Sequence, residues 1–339
     1  MKAAAQPGFE SKHMEALIDA WKKVFRRTGI GINENFFELG GDASLAKALF
    51  AEISRVFARE ISPVLILQAP TIASLYAVLQ RPAPFVLPAI TPLKGVDVSF
   101  PPAFMFHGCG GTVLDLIKLA DSIQTPNSIY GFQNPGIDGL AKPLDQIEEI
   151  AEYHFEAIKR QKIEGPYLLI GYSAGGLVAL EIANRLKQIS EKIALLLMID
   201  SFLPLSALPA HRVLGVKLRR QAHRWRVSVS RSSRTSKQSE RQADRSAGGQ
   251  PVAGEFMRRY DEAERRALES YRGHSYDGLV RFIRAQASWA FPLNPRKVWS
   301  SFMPNMTVET TRGDHRALIT TNCSELATLV TRYINEAIR

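Results

Sequence analysis

Apolar residues recur at helical spacing near the start of the chain. Met14, Leu17, Ile18, Trp21, Val24 and Phe25 predict an amphipathic helix over Ser11–Arg27. A loop from Thr28 to Gly41 comes next, carrying Gly29, Gly31, Gly40 and Gly41. A second helix is expected to start near Asp42 and to bury Leu45, Leu49, Ile53 and Val56 or Phe57. Pro70 disfavours helix in the residue before it, so Thr71 is expected to cap a last helix over Ile72–Gln80. The proline-rich stretch Arg81–Pro88 reads as a semi-rigid linker.

From Ile90 the pattern changes. Short apolar runs at Ala103–Phe106, Ile129–Phe132, Tyr167–Ile170, Ile193–Ile199, Leu279–Ile283 and Met306–Thr310 read as buried strands. Helical stretches such as Leu140–Gln161 and Leu177–Ser190 separate several of them, which predicts a mostly parallel sheet with helices on both faces. A helix-like stretch over Glu255–Tyr271 and a basic run before it interrupt the alternation as an insertion, the usual form of an active-site lid. The expected organisation is a small all-α four-helix domain over 1–80, a linker over 81–89 and an α/β domain over 90–339. The lid would occupy about 201–277.

Composition changes this picture in two places. The formal charge of +10 invites a nucleic-acid reading, but Arg212–Arg245 alone holds eleven Lys/Arg against two acids, a net +9. A confined charge run is a solvated stretch, and no zinc-finger or RNA-binding signature accompanies it, so no nucleic-acid partner is expected. An acidic partner surface or acidic substrate stays open. With two cysteines, Cys109 and Cys323, neither a disulfide framework nor a cysteine zinc site is expected, and no metal is assigned. No apolar run has the roughly 18 residues that span a membrane, so a cytoplasmic location without membrane partner is expected.

The chemistry concentrates at three places in the second domain. Gly171-Tyr172-Ser173-Ala174-Gly175 fits G-x-S-x-G, with a strand entering and a helix leaving, so Ser173 is the candidate nucleophile. Asp200 ends the apolar strand Ile193–Ile199 and can orient a base. His315, in Gly313-Asp314-His315 after the last strand, can be that base. His13, His154, His211, His223 and His274 are worse placed, on helices or in the insertion. The order Ser173, Asp200, His315 is that of the α/β-hydrolases. An oxyanion needs N–H donors, expected from Ala174 and from Cys109 in His107-Gly108-Cys109-Gly110-Gly111. Cys109 as nucleophile is the rival reading, and no base pairs with it.

Residues 90–339 resemble the type I thioesterase of nonribosomal peptide and polyketide synthetases. The resemblance is carried by Phe106–Gly111, by Tyr130-Gly131-Phe132-Gln133-Asn134-Pro135-Gly136, by Gly171–Gly176, and by the positions of Asp200 and Gly313–His315. Gly108 stands where the family usually has proline. Residues 11–80 resemble a peptidyl or acyl carrier protein through Asn35-Phe36-Phe37-Glu38-Leu39-Gly40-Gly41-Asp42. In such carriers the next residue is a serine bearing 4'-phosphopantetheine; here it is Ala43, followed by Ser44. An engineered replacement, a naturally inactive carrier and attachment at Ser44 all remain open.

The resemblance implies a chain-releasing serine thioesterase acting on an acyl or peptidyl thioester held by the fused carrier, with hydrolytic or cyclising release. Carbon–carbon bond-forming (Claisen-type) release of an aryl-acyl product is the alternative. Outside that class stand a freestanding esterase or lipase and a non-catalytic docking module. The carrier motif leans towards a nonribosomal peptide synthetase. The implied partners are upstream adenylation and condensation domains and a phosphopantetheinyl transferase.

Overall fold

The structure, a computed structural model, describes residues 7–81, 85–95, 99–204, 255–287 and 294–339. Contacts divide the chain into two units. One holds the described residues of Met1–Pro88 with Pro135–Pro143 and Pro251–Tyr260; the other holds those of Ala89–Asn134, Leu144–Gln250 and Asp261–Arg339.

The first unit is built on helices α1 (Pro7–Phe25), α2 (Ala43–Val56) and α3 (Ile72–Leu79), with a short 3-10 turn at Pro63–Leu67. That turn takes the place of the fourth helix expected from the sequence. Helix α1 stops before Arg27 because Arg26 turns into the left-handed region at φ +54°, which lets Arg27 N–H reach the Lys22 carbonyl. Asp42 caps α2 by accepting from Leu45 N–H at 2.8 Å, and Thr71 caps α3 in a reciprocal capping box with Ser74. Phe36 is fully buried, its ring edge-on to Trp21 and Phe25. A Cβ on Gly41 would lie 2.3 Å from that ring, which is why glycine stands after the aromatic pair at this spacing. The buried face of α2 holds Leu49 and Ile53 as expected, together with Ala46 and Phe50; Leu45 and Phe57 are only half-buried and Val56 is exposed.

The second unit is a seven-stranded sheet in the order β1-β3-β2-β4-β5-β6-β7. Its strands are β1 (Ile90–Lys94), β2 (Ala103–Phe106), β3 (Ile129–Phe132), β4 (Tyr167–Tyr172), β5 (Ile193–Ile199), β6 (Val280–Ala285) and β7 (Met306–Thr311). All neighbours pair in parallel except β1 with β3. Strand β1 escapes a reading of the sequence because Pro92 lies inside it. A proline cannot donate to a ladder, and the strand survives only at the sheet edge, with a register shift beside the proline.

Alternation along the strands separates two cores. Phe104, Phe106, Tyr167 and Leu169 face α5 (Ile147–Arg160) and α6 (Gly175–Gln188). Ala103, Met105, Leu168 and Ile170 face the opposite layer, α4 (Ile117–Ser122) and α9 (Cys323–Ala337). Helix α5 begins at Ile147 rather than Leu140, since Pro143 breaks the stretch before it. Helices α7 (Glu255–Ser270) and α8 (Pro295–Trp299) complete the described α-helices, and α7 falls within the span of the expected lid. The basic run Arg212–Arg245 lies outside the described residues. No described helix is long and apolar enough to cross a membrane.

Candidate active site

Strand β2 sits between β3 and β4, so the chain leaves it in one direction and returns on the other side. Such a switch in strand order opens a crevice at the carboxyl ends of the strands. The loop after β2, the turn after β4 and the ends of β5 and β7 all emerge at that edge.

Ser173 holds φ +56°, a left-handed conformation that non-glycine residues avoid and that turns β4 sharply into α6. The flanking glycines make the turn possible. A Cβ on Gly171 would lie 2.3 Å from the Gly175 carbonyl oxygen, and one on Gly175 would lie 2.1 Å from the Phe106 carbonyl oxygen. Both obstacles are backbone and cannot rotate away. Gly175→Ala is therefore expected to destabilise the second unit by about 3 kcal/mol, read from urea unfolding. Gly108 has a similar reason: a Cβ there would approach Ser173 Cβ to 2.9 Å.

Neighbouring strands hold the rest. Ser173 N–H donates to the Ile199 carbonyl at 2.8 Å, and Asp200 N–H donates to the Ile283 carbonyl at 2.7 Å. Asp200, itself at φ +46°, accepts the Ala285 N–H on Oδ1 at 3.0 Å and meets His315 Nδ1 with Oδ2 at 2.8 Å. Because a carboxylate only accepts, Nδ1 carries the proton and Nε2 is left basic. Gly313 turns at φ +98°, and Asp314 accepts the Arg316 and Ala317 N–H groups, so the loop presents His315 at a set angle. Ser173 and Asp200 are each 5% exposed.

Tyr172 is a site residue that the sequence did not single out. Its ring stacks on His315 at 4.9 Å, and its hydroxyl donates to the His315 carbonyl at 2.7 Å. Burial and then the Asp200 carboxylate push the phenol well above its usual value, so it remains a donor. Only its position inside the G-x-S-x-G pentapeptide marks it in the linear chain.

The expected oxyanion donors Cys109 and Ala174 line one small cavity with His107, Gly108, Asn134 and Glu264. The Gly108 carbonyl accepts from Gly111 N–H at 3.0 Å and from His107 Nδ1 at 2.9 Å. In a trans peptide the N–H points away from the carbonyl, so these bonds orient the Cys109 N–H as well. Loss of hydration at the Cys109 thiol, then the carboxylates of Glu264 and Asp261, push its pKa to about 12, although the residue keeps exposed surface. A thiol held protonated is a poor nucleophile, which disfavours the cysteine rival. Of the passed-over histidines, His154 is buried on α5 and His274 pairs with Glu181 at 2.9 Å. Among the described residues no group of three or more His, Cys, Asp or Glu could hold a metal ion.

A family model described as "Thioesterase domain" matches residues 101–333. The chain belongs to the thioesterase domain family. A second model, "Phosphopantetheine attachment site", matches residues 15–79, so this thioesterase comes after a carrier domain in one chain. Indigoidine synthase of Streptomyces lavendulae is 33% identical over 173 residues, 51% of this chain and 14% of that protein. Enterobactin synthase component F of Escherichia coli O157:H7 is 33% identical over 174 residues, 50% of this chain and 13% of that protein. The chain thus spans a small fraction of the curated relatives it matches.

Solved structures share the fold. A crystal structure of holo-AB3403, a four-domain nonribosomal peptide synthetase, aligns with 99% of this chain and 26% of its own at TM-score 0.58 and 20% identity. The NocB thioesterase domain, in covalent complex with a fluorophosphonate nocardicin G analogue, aligns with 72% of this chain and 99% of its own at TM-score 0.52 and 20% identity.

In the carrier domain, Ala43 is the first residue of α2 and is half-buried, while Ser44 is exposed. Alanine has no hydroxyl to form a phosphodiester, so residue 43 of this chain does not fit the prosthetic group its domain family carries.

Proposed function

We propose that this chain releases an acyl or peptidyl chain from its thioester through a covalent acyl-Ser173 intermediate. The observation that carries the reading is the 2.8 Å contact of His315 Nδ1 with Asp200 Oδ2, beside a serine held in a left-handed elbow. Ser173 Oγ attacks the thioester carbonyl as His315 Nε2 takes its proton. Asp200 keeps the imidazole in the Nδ1–H tautomer and stabilises the imidazolium, and the Cys109 and Ala174 N–H groups receive the oxyanion. Collapse expels the thiol, which takes the proton from His315, and leaves an ester on Ser173. Water, or an amine or hydroxyl of the acyl chain, then gives its proton to His315 and attacks that ester; the bond to Ser173 Oγ breaks, Oγ takes the proton back from His315, and a free acid or a ring leaves.

The carrier domain is assigned to 1–80, the linker to 81–89 and the thioesterase to 90–339, with its lid at about 201–277. Upstream adenylation and condensation domains of a nonribosomal peptide synthetase and a phosphopantetheinyl transferase are its proposed partners. Position 43 is the proposed attachment point where a serine stands there.

A fluorophosphonate serine probe tests the core of this reading. Intact-mass spectrometry of the full chain is expected to show one adduct, absent in Ser173→Ala. Equal labelling of the two proteins would remove Ser173 from the mechanism.

A further inference from the structure

Glu264 lies on the lid helix α7 and is 5% exposed. A carboxylate so placed needs donors, and both of its oxygens have one. Oε2 accepts the Gly110 N–H at 2.5 Å, and Oε1 accepts Asn134 Nδ2 at 2.6 Å. Asn134 Oδ1 in turn meets His154 Nε2 at 2.7 Å. The direction of this chain of bonds is set by its ends. A carboxylate accepting on both oxygens fixes the Asn134 amide with nitrogen towards Glu264 and oxygen towards His154. The oxygen can only accept, so His154 carries its proton on Nε2, and its buried Nδ1 has no partner among the described residues. Burial, then the neighbouring His107, lowers the His154 pKa to about 3, so the ring stays neutral and makes a single donation.

This chain of bonds ends on the loop that bears the expected oxyanion donor. The Gly108 carbonyl is held by Gly111 and His107, which orients the Cys109 N–H from one side. From the other side, the Cys109–Gly110 peptide is held through its Gly110 N–H. Packing adds little there, since among the described residues a Cβ at Gly110 would meet nothing within 4 Å. Glu264 also lines the cavity shared by Cys109 and Ala174.

We propose that Glu264 is a positioning residue for thioester cleavage: it ties the lid helix to the glycine-rich loop and, through Gly110, sets the Cys109 N–H at the oxyanion. This rests on the acyl-Ser173 reading above. It makes catalysis depend on the lid: α7 must be seated for the oxyanion site to be ordered. A carboxylate near a forming oxyanion also repels it, so the sign of a neutralising substitution is decisive. Loop ordering predicts a loss of rate; a brake relieved predicts a gain.

The test exchanges the polarity of the pair in the full chain. In Glu264→Gln the new amide nitrogen faces the Asn134 amide, and in Asn134→Asp two carboxylates face each other. In the double variant the introduced glutamine would donate to the introduced aspartate and still accept from Gly110, while that aspartate accepts from His154. Each single variant is expected to lower the fluorophosphonate labelling rate of Ser173, and kcat on an acyl N-acetylcysteamine thioester, by about tenfold, a fraction of what losing an oxyanion donor costs. KM should stay within about twofold, and the double variant should return to within about threefold of the parent, since only the paired polarity matters. Thermal melting accompanies each variant. If Asn134→Asp does not melt cooperatively, Glu264→Gln and Glu264→Asp carry the comparison and must show the same split. Unchanged or faster single variants, or a double variant no better than the worse single one, would overturn the proposal. A parent chain that is not labelled at Ser173 would instead fail the acyl-enzyme reading.

Discussion

Asp200→Asn is expected to lower kcat on a thioester by roughly 10⁴-fold while leaving the fold intact, an effect of the size seen when a triad histidine is held in the wrong tautomer. The reason is local. Asp200 Oδ1 accepts the Ala285 backbone N–H, and that donor does not move because it belongs to the β6 strand. An asparagine must therefore keep its carbonyl oxygen towards Ala285 and turn its amide nitrogen towards His315 Nδ1. A donor there forces Nδ1 to accept, which moves the imidazole proton to Nε2 and removes the base from Ser173. Burial of both Ser173 and Asp200 at 5% exposure leaves little water to offer an alternative route. The measurement is kcat on an acyl N-acetylcysteamine thioester beside Ser173→Ala, for which a loss of roughly 10⁶-fold is expected. Combining Ser173→Ala with Asp200→Asn should add almost nothing, because the residues act as a unit. An Asp200→Asn rate within tenfold of the parent would sink the orienting role of Asp200.

Ala43→Ser is expected to convert a chain that takes up no phosphopantetheine into one that is fully modified by a phosphopantetheinyl transferase and coenzyme A. Residue 43 opens α2 directly after the capping Asp42, and the surrounding Asn35–Asp42 motif is anchored by the buried Phe36. The substitution adds one hydroxyl to an otherwise complete carrier. Ser44 is exposed, but one residue along a helix turns the side chain by roughly 100°. Intact mass of the parent, Ala43→Ser and Ala43→Ser with Ser44→Ala separates the two serines. Modification of the parent itself would move the attachment point to Ser44. With an acyl-coenzyme A in place of coenzyme A, the acyl group on Ala43→Ser should disappear only when Ser173 is present.

Much of the site is legible in the linear chain because the local signals are strong. The pentapeptide Gly171–Gly175 places glycines on either side of Ser173 between a strand and a helix, the context of a tight strand-to-helix turn, and the structure shows why they are needed: side chains there would strike backbone. Asp200 and His315 are legible because each comes just after a strand, and parallel strands deliver their carboxyl-terminal neighbours to one edge. Strand β1 is hidden by Pro92, whose cost is tolerable only at an edge that pairing alone defines. The start of α5 is misplaced because apolar periodicity continues across Pro143.

By itself, then, the chain determined its two-domain plan, the triad candidates and the missing hydroxyl at residue 43. Each of these depends on residue identity and short-range geometry. Only the tertiary structure decided which partners complete the site: Tyr172 against His315, Ala285 on Asp200, and Glu264, Asn134 and His154 behind the glycine-rich loop. Those contacts join residues that lie up to 154 positions apart. No periodicity or motif encodes such pairings, because they arise from burial. A carboxylate or imidazole removed from water must find a donor or acceptor wherever the packed elements bring one within reach.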